Sequence, residues 1–263
     1  MERWRDKWAL ITGASAGIGA AVAAELAGCG THLVLSARRQ SRLQALATDL
    51  RAKHGVAVEV CSADLARADG PALLFGFTQA KALPITLLVN NAGFGSYGEF
   101  QRTALERLAA MTHVNVTAVV ELTRLYLPLM IERGAGDILI VASTAAFQAV
   151  PYMSTYAATK AFDLLFAEAL AEEVRSRGIH VCALCPGTTQ TEFAEIAGRR
   201  LSPRAGQSAH EVARVGLKAL AAGRSVVVSG LGNRLALISQ RIAPRRWVVH
   251  ITGSLFRPHG SGD

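Results

Sequence analysis

The sequence predicts an α/β fold in which a seven-stranded parallel sheet carries helices on both faces. Short apolar runs alternate along the chain with longer stretches of helical periodicity, and the runs are almost continuously apolar, as in strands that are buried on both faces. The predicted strands are residues 8–11, 31–35, 56–60, 85–89, 137–141, 179–184 and 225–228, and the predicted helices include residues 18–27, 41–53, 104–131 and 155–177. This alternation is typical of a doubly wound, Rossmann-type sheet, in which ligands bind beyond the carboxyl ends of the strands.

The composition indicates a large core and an intracellular location. Of the 263 residues, 51% are hydrophobic and 18% are charged. The first eight residues are rich in charge, and no run of 18 uncharged apolar residues occurs, so we expect neither a signal peptide nor a spanning helix. We therefore expect a cytoplasmic protein.

The cysteine pattern favours reduced thiols. Cys182 and Cys185 have the spacing of a redox or metal pair, but they lie within a predicted strand and no cluster of cysteine or histidine accompanies them. We expect structural thiols in a reducing compartment and no metal site.

A glycine-rich turn follows the first predicted strand and leads directly into a helix. Glycines let the backbone approach a pyrophosphate, and the helix N-terminus offers free N–H groups to its charge. An ordinary turn is the alternative for such a motif taken alone. The predicted phosphate loop consists of Gly13, Ser15, Gly17, Ile18 and Gly19.

Two arginines follow the second predicted strand. An acidic residue at this point would accept hydrogen bonds from the ribose of NAD, whereas arginine can bind a 2′-phosphate. Arg38 and Arg39 stand there, and no acidic residue is near. They could also be solvated surface side chains, but the position favours NADP(H) over NAD(H).

Further motifs follow the later strands in a fixed order. They are Asn90-Asn91-Ala92-Gly93 after the fourth strand, Ser143 after the fifth, Tyr156-Ala-Ala-Thr-Lys160 at the start of a helix, and Pro186-Gly187 after the sixth. Together with the glycine loop they closely resemble the short-chain dehydrogenase/reductase family, from residue 12 to residue 191.

The resemblance implies a role for each matching residue. It implies an oxidoreductase that interconverts a ketone or aldehyde and an alcohol, with catalytic residues Asn115, Ser143, Tyr156 and Lys160. It implies cofactor contacts from the glycine loop and from Arg38, Arg39, Asp64, Leu65, Asn90, Asn91, Ala92, Gly93, Tyr156, Lys160, Pro186, Gly187, Thr189 and Thr191. One position departs: Ala16 stands where some NADP-preferring members carry a basic residue. Family members commonly form dimers or tetramers through helices near 103–131 and 155–177, so we expect a homodimer or homotetramer.

The spacing of Tyr156 and Lys160 suits proton transfer. Residues four apart share one face of a helix. A lysine charge about 4 Å from the phenol, at an effective dielectric of about 20, favours the phenolate by roughly 4 kcal/mol. We therefore expect the pKa of Tyr156 to fall from about 10 towards roughly 7–8, while Ser143 holds the substrate oxygen. A non-catalytic NADP-binding sensor or scaffold on the same fold is the alternative, although such a protein would be expected to lose one of these three side chains.

The substrate pocket is predicted to be apolar. Its expected lining is Phe94, Tyr97, Phe147, Met153 and Phe193, from the loops after the fourth, fifth and sixth strands. No arginine stands in the first two of these loops to bind a carboxylate. We expect a small hydrophobic carbonyl or alcohol substrate.

The positive charge is concentrated at the end of the chain. Residues 1–198 hold 17 Lys and Arg against 18 Asp and Glu, a net −1, whereas residues 199–263 hold 11 against 2, a net +9. Because the body is neutral and has no nucleic-acid motif, we do not expect a nucleic-acid partner. We divide the chain into a dinucleotide-binding catalytic domain (1–230) and a basic amphipathic extension of the same domain (231–263).

The extension is predicted to form two helices. Leu231, Leu235, Ile238 and Ile242 recur at helical spacing, and Pro244 ends that helix or begins another. The apolar stripe either packs on the body or a second subunit, or gives residues 231–257 a weak contact with a membrane surface.

Overall fold

The computed structural model describes residues 2–199 and 206–258, apart from the side chains of residues 240–242. Its strands are β1 (Trp8–Thr12), β2 (His32–Ala37), β3 (Val58–Ser62), β4 (Ile85–Asn90), β5 (Gly136–Val141), β6 (Ile179–Cys185), β7 (Thr189–Gln190), β8 (Gln207–Ser208) and β9 (Val226–Val228). Seven of them form one parallel sheet in the order β3-β2-β1-β4-β5-β6-β9. The predicted seven-stranded, Rossmann-type sheet is confirmed, and each predicted strand differs from the observed one by two residues or fewer at either end.

Helices cover both faces of the sheet. They are α1 (Gly17–Ala27), α2 (Gln40–His54), α3 (Gly70–Ala80), α4 (Leu105–Thr112), α5 (Ala118–Glu132), α6 (Ser154–Val174), α7 (Phe193–Ile196), α8 (Ala209–Ala221), α9 (Leu231–Ile242) and α10 (Arg245–Phe256). The inner faces of α1, α2 and α8 form one buried cluster, and those of α3, α5 and α6 form the other. Successive strand residues point to opposite faces, so Leu10 belongs to the second cluster and Ile11 to the first.

The helix predicted for residues 104–131 is present with an insertion. A π-helical turn, His113–Thr117, joins α4 to α5 within one continuous helix. Such turns occur often at functional sites, because the extra residue in the turn redirects a side chain. Among the described residues, Leu105–Glu132 is the one helix long and apolar enough to span a membrane by length and composition. Leu122, Tyr126 and Met130 on this helix are buried in the core.

The segment after β6 holds structure that sequence periodicity does not reveal. β7 and β8 pair in a two-stranded parallel sheet on either side of α7. A two-residue strand is too short to show a periodic pattern in the sequence. Its formation depends on contacts with the rest of the fold. The pairing joins the chain before α7 to the chain that follows it.

Both helices of the extension are present, and Pro244 separates them as predicted. The apolar stripe of α9 does not pack on the body: Leu231, Leu235 and Ile238 are all exposed. The side chain of Ile242, the fourth predicted member of the stripe, lies outside the described residues.

Candidate active site

A cleft of about 600 Å³ opens beyond the carboxyl ends of the central strands. It lies between the glycine loop after β1 and the segments that follow β4, β5 and β6. The position is the one predicted, since polar and glycine residues that follow parallel strands gather at the same edge.

The glycine loop is tight because other chain segments occupy the space that side chains would need. Gly13 has a φ of +66°, and a Cβ there would lie 2.7 Å from the Asn91 Nδ2. The Asn91 amide donates to the carbonyl oxygens of Thr12 (2.8 Å) and Gly13 (3.3 Å). The Thr12 hydroxyl accepts the backbone N–H groups of Asn91 and Ala92, each at 3.0 Å. Asn91 and Ala92 therefore brace the loop as well as line the cleft.

Gly19→Ala is expected to weaken dinucleotide binding and to lower the free energy of unfolding by roughly 1–3 kcal/mol. A Cβ at Gly19 would lie 2.5 Å from the Asn91 Nδ2 and 2.6 Å from the Gly13 carbonyl oxygen, so the loop must shift. Isothermal titration with NADPH and denaturant unfolding would measure both effects. Gly76→Ala in α3 is the matched control, because its Cβ meets nothing within 4 Å and should raise stability slightly. Equal effects of the two substitutions would contradict this account.

One end of the cleft carries the predicted arginines Arg38 and Arg39. It also carries a carboxylate that was not predicted, Glu192. Arg38 is exposed at the end of β2. Arg39 donates to the Ser15 hydroxyl at 3.1 Å and to Glu192 at 2.7 Å. Glu192 also accepts from Arg42 at 2.5 Å, and these hydrogen bonds lower the pKa of its carboxyl group. Arg39 is thus already engaged, whereas Arg38 is the more available cation.

The other predicted cofactor residues are distributed around the same cleft. Those that line it are Asp64, Leu65, Asn91, Ala92, Gly93, Pro186, Gly187, Thr189 and Thr191, together with Ser15, Gly17 and Ile18 of the loop. Gly19 does not line the cleft, and neither does Asn90. Asn90 is buried, its side-chain amide donates to Thr123 at 3.0 Å, and it faces the protein interior rather than the cleft.

The Ser143, Tyr156 and Lys160 side chains converge at the inner wall of the cleft. Tyr156 and Lys160 are 8% and 5% exposed, on the first turns of α6. The Lys160 ammonium donates to the Val141 carbonyl oxygen at 2.7 Å, which ties α6 to the end of β5. Ser143 follows β5, and its hydroxyl accepts the backbone N–H of Ala145 at 3.1 Å. The strand and the helix therefore hold the three polar groups together.

The expected lowering of the Tyr156 pKa is wrong for this structure. Burial raises the pKa of Tyr156 above its ordinary value, and this outweighs the opposing charge of Lys160 and the hydrogen bond with Ser143. The charge of Asp163 raises it further. The free-energy cost of desolvating the phenolate exceeds the stabilisation that one neighbouring ammonium provides.

Asp163 is a second side chain that sequence reasoning missed. Its carboxylate is fully buried and accepts a hydrogen bond from the Lys160 ammonium at 2.9 Å. Burial lowers the pKa of Lys160, but the charges of Asp163 and Tyr156 raise it, with a net rise. The sequence spacing could have indicated this pair, because a carboxylate three residues after a lysine lies on the same helix face.

Asn115 lies behind the cleft. The π-helical turn buries it completely, and its side chain bonds both the N–H (3.2 Å) and the carbonyl oxygen (3.1 Å) of Phe94. It also donates to the Thr159 hydroxyl at 3.0 Å, and Thr159 precedes Lys160 on α6. Asn115 thus connects the loop after β4 to the helix that bears the tyrosine and lysine.

The remainder of the cleft is largely apolar. Phe94, Met153 and Phe193 line it as predicted, and the ring of Phe193 lies 5.1 Å from that of Tyr156. Tyr97 and Phe147 do not line it: Tyr97 packs beside the cluster that includes Tyr156, and Phe147 packs against the core under the sheet. Their places are taken by Val150 and Ile196 and, from the end of α10, by Phe256.

The cysteine pair with redox or metal spacing, Cys182 and Cys185, lies in the buried strand β6. The four thiols are free, and burial raises the pKa of Cys182 and of Cys185 to about 12. Both are therefore protonated, unreactive core residues. No group of three potential metal ligands occurs among the described residues.

A doubly wound sheet with a glycine loop, and with Ser, Tyr and Lys side chains at the same cleft, defines a dinucleotide-binding protein of the oxidoreductase class. The family model described as short chain dehydrogenase matches residues 7–200. This chain belongs to the short-chain dehydrogenase family.

Two relatives indicate the range of the family that this chain is similar to. Very-long-chain 3-oxoacyl-CoA reductase-B of Danio rerio is 36% identical over 195 residues, which cover 72% of this chain and 62% of that protein. The 17-beta-hydroxysteroid dehydrogenase type 3 of Mus musculus is 33% identical over 250 residues, which cover 92% of this chain and 78% of the other. The chain therefore spans less than two thirds of the length of the acyl-CoA reductase.

Solved structures share the whole fold. A short-chain dehydrogenase from Sphingobium yanoikuyae in complex with NADPH has 32% sequence identity and a TM-score of 0.82, with 98% of each chain covered. A short-chain dehydrogenase/reductase from Burkholderia phymatum in complex with NAD has 26% identity and a TM-score of 0.82, with 92% of this chain and 95% of the other covered.

Proposed function

We propose that this chain is an NADP(H)-dependent oxidoreductase that interconverts a ketone or aldehyde and an alcohol on a hydrophobic substrate. The observation that carries the proposal is the position of Tyr156, Lys160 and Ser143 where the glycine-lined half of the cleft meets its apolar half. A dinucleotide held by the first half would place its reactive end beside these three side chains.

The residues present fit such a cofactor. The glycine cradle, in which a Cβ at Gly13 or Gly19 would collide with Asn91, leaves backbone exposed to a pyrophosphate. Asp64, Leu65, Pro186, Gly187, Thr189 and Thr191 line the cleft, and the family resemblance implies that the first two would meet the adenine and the other four the nicotinamide. When bound, the nicotinamide supplies or accepts the hydride.

The protein's own contribution is to hold the carbonyl oxygen and to move one proton. In reduction, the Tyr156 hydroxyl donates its proton to the substrate oxygen as negative charge develops there. The Ser143 hydroxyl donates a hydrogen bond to the same oxygen and fixes its position. The Lys160 ammonium stabilises the phenolate that remains. Reduction requires the protonated tyrosine, and burial favours this form by raising the pKa of Tyr156.

The preference for NADP(H) rests on Arg38. Arg39 and Arg42 are both paired with Glu192, which leaves the exposed Arg38 guanidinium to bind a 2′-phosphate.

Arg38→Ala is expected to raise the KM for NADPH by roughly 10- to 100-fold, the value of one charge-assisted hydrogen-bond pair. The KM for NADH should change little, because NAD carries no phosphate at this position. Steady-state kinetics with both cofactors would measure the two constants. Faster turnover of the unsubstituted enzyme with NADH than with NADPH would contradict the assignment.

A hydrophobic substrate follows from the lining of the cleft. Phe94, Val150, Met153, Phe193 and Phe256 surround the space beside Tyr156. Two relatives of the chain are named for acyl-CoA and hydroxysteroid substrates, both of which carry large apolar groups. Arg199 also lines the cleft, and its guanidinium stacks on the Phe256 ring at 4.2 Å.

The proposal is tested with a panel of aliphatic, aromatic and steroidal ketones, with NADPH and NADH, followed by nicotinamide absorbance. Turnover that rises with the apolar size of the ketone would support it. Tight binding of NADPH without turnover of any carbonyl would instead indicate a sensor or scaffold.

We also propose that the chain acts in the cytoplasm as a homodimer or homotetramer. Apolar side chains are exposed on the helices that the family uses for assembly, including Leu105 on α4 and Phe162 and Leu165 on α6. Sedimentation equilibrium would give the mass, and Leu165→Glu should shift it towards the monomer.

A further inference from the structure

Helix α10 has two apolar faces, and the protein covers only one of them. Residues Thr252, Gly253 and Phe256 lie towards the body: Thr252 is buried, a Cβ on Gly253 would lie 3.3 Å from Pro151, and Phe256 reaches the cleft. On the opposite face Trp247, Ile251 and Leu255 follow one another at four-residue spacing. All three are more than half exposed, and Leu255 reaches 72%. A helix that only packs on the body needs one apolar face.

Helix α9 also carries an exposed apolar stripe. Its stripe of Leu231, Leu235 and Ile238 is 59–77% exposed. Together the two helices carry six of the twelve large hydrophobic side chains that are exposed in the described part of the chain. So much apolar surface on two adjacent short helices marks a binding surface rather than scattered exposure.

The positive charge of these helices indicates which kind of partner the surface binds. Residues 231–258 contain five arginines and no acidic residue. Arg234, Arg245, Arg246 and Arg257 are exposed near the apolar stripes. A surface with exposed leucine, isoleucine and tryptophan between arginines is complementary to anionic lipid head groups above an acyl layer. A second copy that docks through the same surface about a twofold axis would bring arginines together, because residues 231–258 contain no acidic side chain.

The surface also borders the mouth of the cleft. Phe256 lines the cleft, and Leu255, its neighbour in the chain, faces solvent on the exposed stripe. Ile196, on the facing α7, both lines the cleft and is 46% exposed. A bilayer against α10 would therefore lie beside the opening that leads to Tyr156.

We propose that α9 and α10 dock the protein on an anionic membrane surface and set the mouth of the cleft against the bilayer, so that a membrane-dissolved lipophilic carbonyl compound enters the site directly. The docking itself stands on the exposed stripes and their charge, whereas the delivery of substrate rests on the proposed function.

Vesicle flotation tests the docking. The full-length protein is mixed with phosphatidylcholine vesicles with and without phosphatidylglycerol, at low and high salt. Binding should require phosphatidylglycerol and should weaken as salt screens the arginines. The full chain is needed, because removal of the extension would also remove Phe256 from the cleft. Failure of the protein to float with anionic vesicles at low salt overturns the proposal.

Point variants show which residues are responsible. Arg245→Gln together with Arg246→Gln should weaken binding by roughly 25-fold, at about fivefold for each charge. Arg175→Gln together with Arg177→Gln, which neutralises two exposed arginines on the body, is the matched control and should leave binding unchanged.

The apolar stripe is tested in the same way. Trp247→Ser, Ile251→Ser and Leu255→Ser combined should weaken binding by more than roughly 100-fold. Leu73→Ser, on an exposed leucine of α3, is the control. Vesicle binding that survives the triple substitution overturns the proposal. The proposal is also overturned if light scattering shows that the triple variant no longer forms the oligomer while its vesicle binding is unchanged. The stripe would then bind a second copy of the chain.

Activity separates this inference from the proposed function. The triple variant should keep its rate with a water-soluble ketone and lose, by tenfold or more, its rate with a long-chain ketone dissolved in anionic vesicles. Equal losses with both ketones would contradict delivery from the membrane. An unsubstituted enzyme that floats with vesicles but reduces neither ketone would leave the docking intact and refute the proposed function.

Discussion

Tyr156→Phe is expected to lower kcat/KM for carbonyl reduction by roughly 10²- to 10⁴-fold, the usual contribution of a positioned general acid. The phenyl ring retains the packing against Phe193 and Met153, so only the proton donor is lost. The dissociation constant for NADPH should change by less than the rate does. Single-turnover kinetics with NADPH, and a separate binding titration, would measure the two effects.

Tyr126→Phe is the matched control for this substitution. Tyr126 is the other buried tyrosine among the described residues. Its hydroxyl forms a hydrogen bond with the Thr78 hydroxyl at 2.7 Å, and burial raises the pKa of Tyr126 to about 12. Loss of this hydroxyl should lower the free energy of unfolding by about 1 kcal/mol and leave the rate of carbonyl reduction unchanged. Similar rate losses in the two variants would mean that a general disturbance of the core, rather than a lost proton donor, accounts for the effect at Tyr156.

Asp163→Asn is expected to lower the free energy of unfolding by roughly 3–5 kcal/mol, because it leaves the Lys160 ammonium buried beside a neutral group. The ion pair is almost fully enclosed, with the Lys160 and Asp163 side chains 7% and 1% exposed. Denaturant unfolding monitored by tryptophan fluorescence would measure the loss. Asp69→Asn, at an exposed aspartate paired with Arg67, is the control and should change stability little.

The same substitution has a distinct effect on the pH profile. The charge of Asp163 raises the pKa of Tyr156, so its removal lowers that pKa. Alcohol oxidation needs the phenolate as base, and its rate rises with pH through the pKa of the tyrosine. The rising limb should therefore move to lower pH in the variant. A shift to higher pH would show that Lys160 loses its proton when Asp163 is neutral. Lys160→Met with Asp163→Leu should recover much of the stability without recovering activity.

The sequence was sufficient wherever the signal is local. The apolar runs near 85–89 and 179–184 are predicted as strands because they are short, continuously apolar and bounded by turn residues, as in a sheet buried on both faces. The glycines of the loop and the four-residue spacing of Tyr156 and Lys160 are likewise short-range features. Even the break between the two helices of the extension could be predicted, since Pro244 lacks the N–H that a helix interior requires.

The sequence alone did not predict contacts between residues that are far apart in the chain and close together in the fold. Glu192 contacts Arg39 across more than 150 residues, and Phe256 enters a cleft whose other lining residues lie between Gly13 and Arg199. Tyr97 and Phe147 were expected in that cleft and lie elsewhere, because the loops that carry them turn towards other parts of the core.

By itself, then, the sequence determined the sheet, the glycine loop and the set of polar groups after the strands, because spacing along the backbone controls these. The tertiary structure alone decided the direction of the Tyr156 pKa and the exposure of the two terminal helices. Both depend on burial, and burial is a property of everything packed around a residue. A phenol enclosed beside an ion pair keeps its proton more firmly than one beside a lone lysine, and an apolar stripe belongs to the core only if another surface meets it.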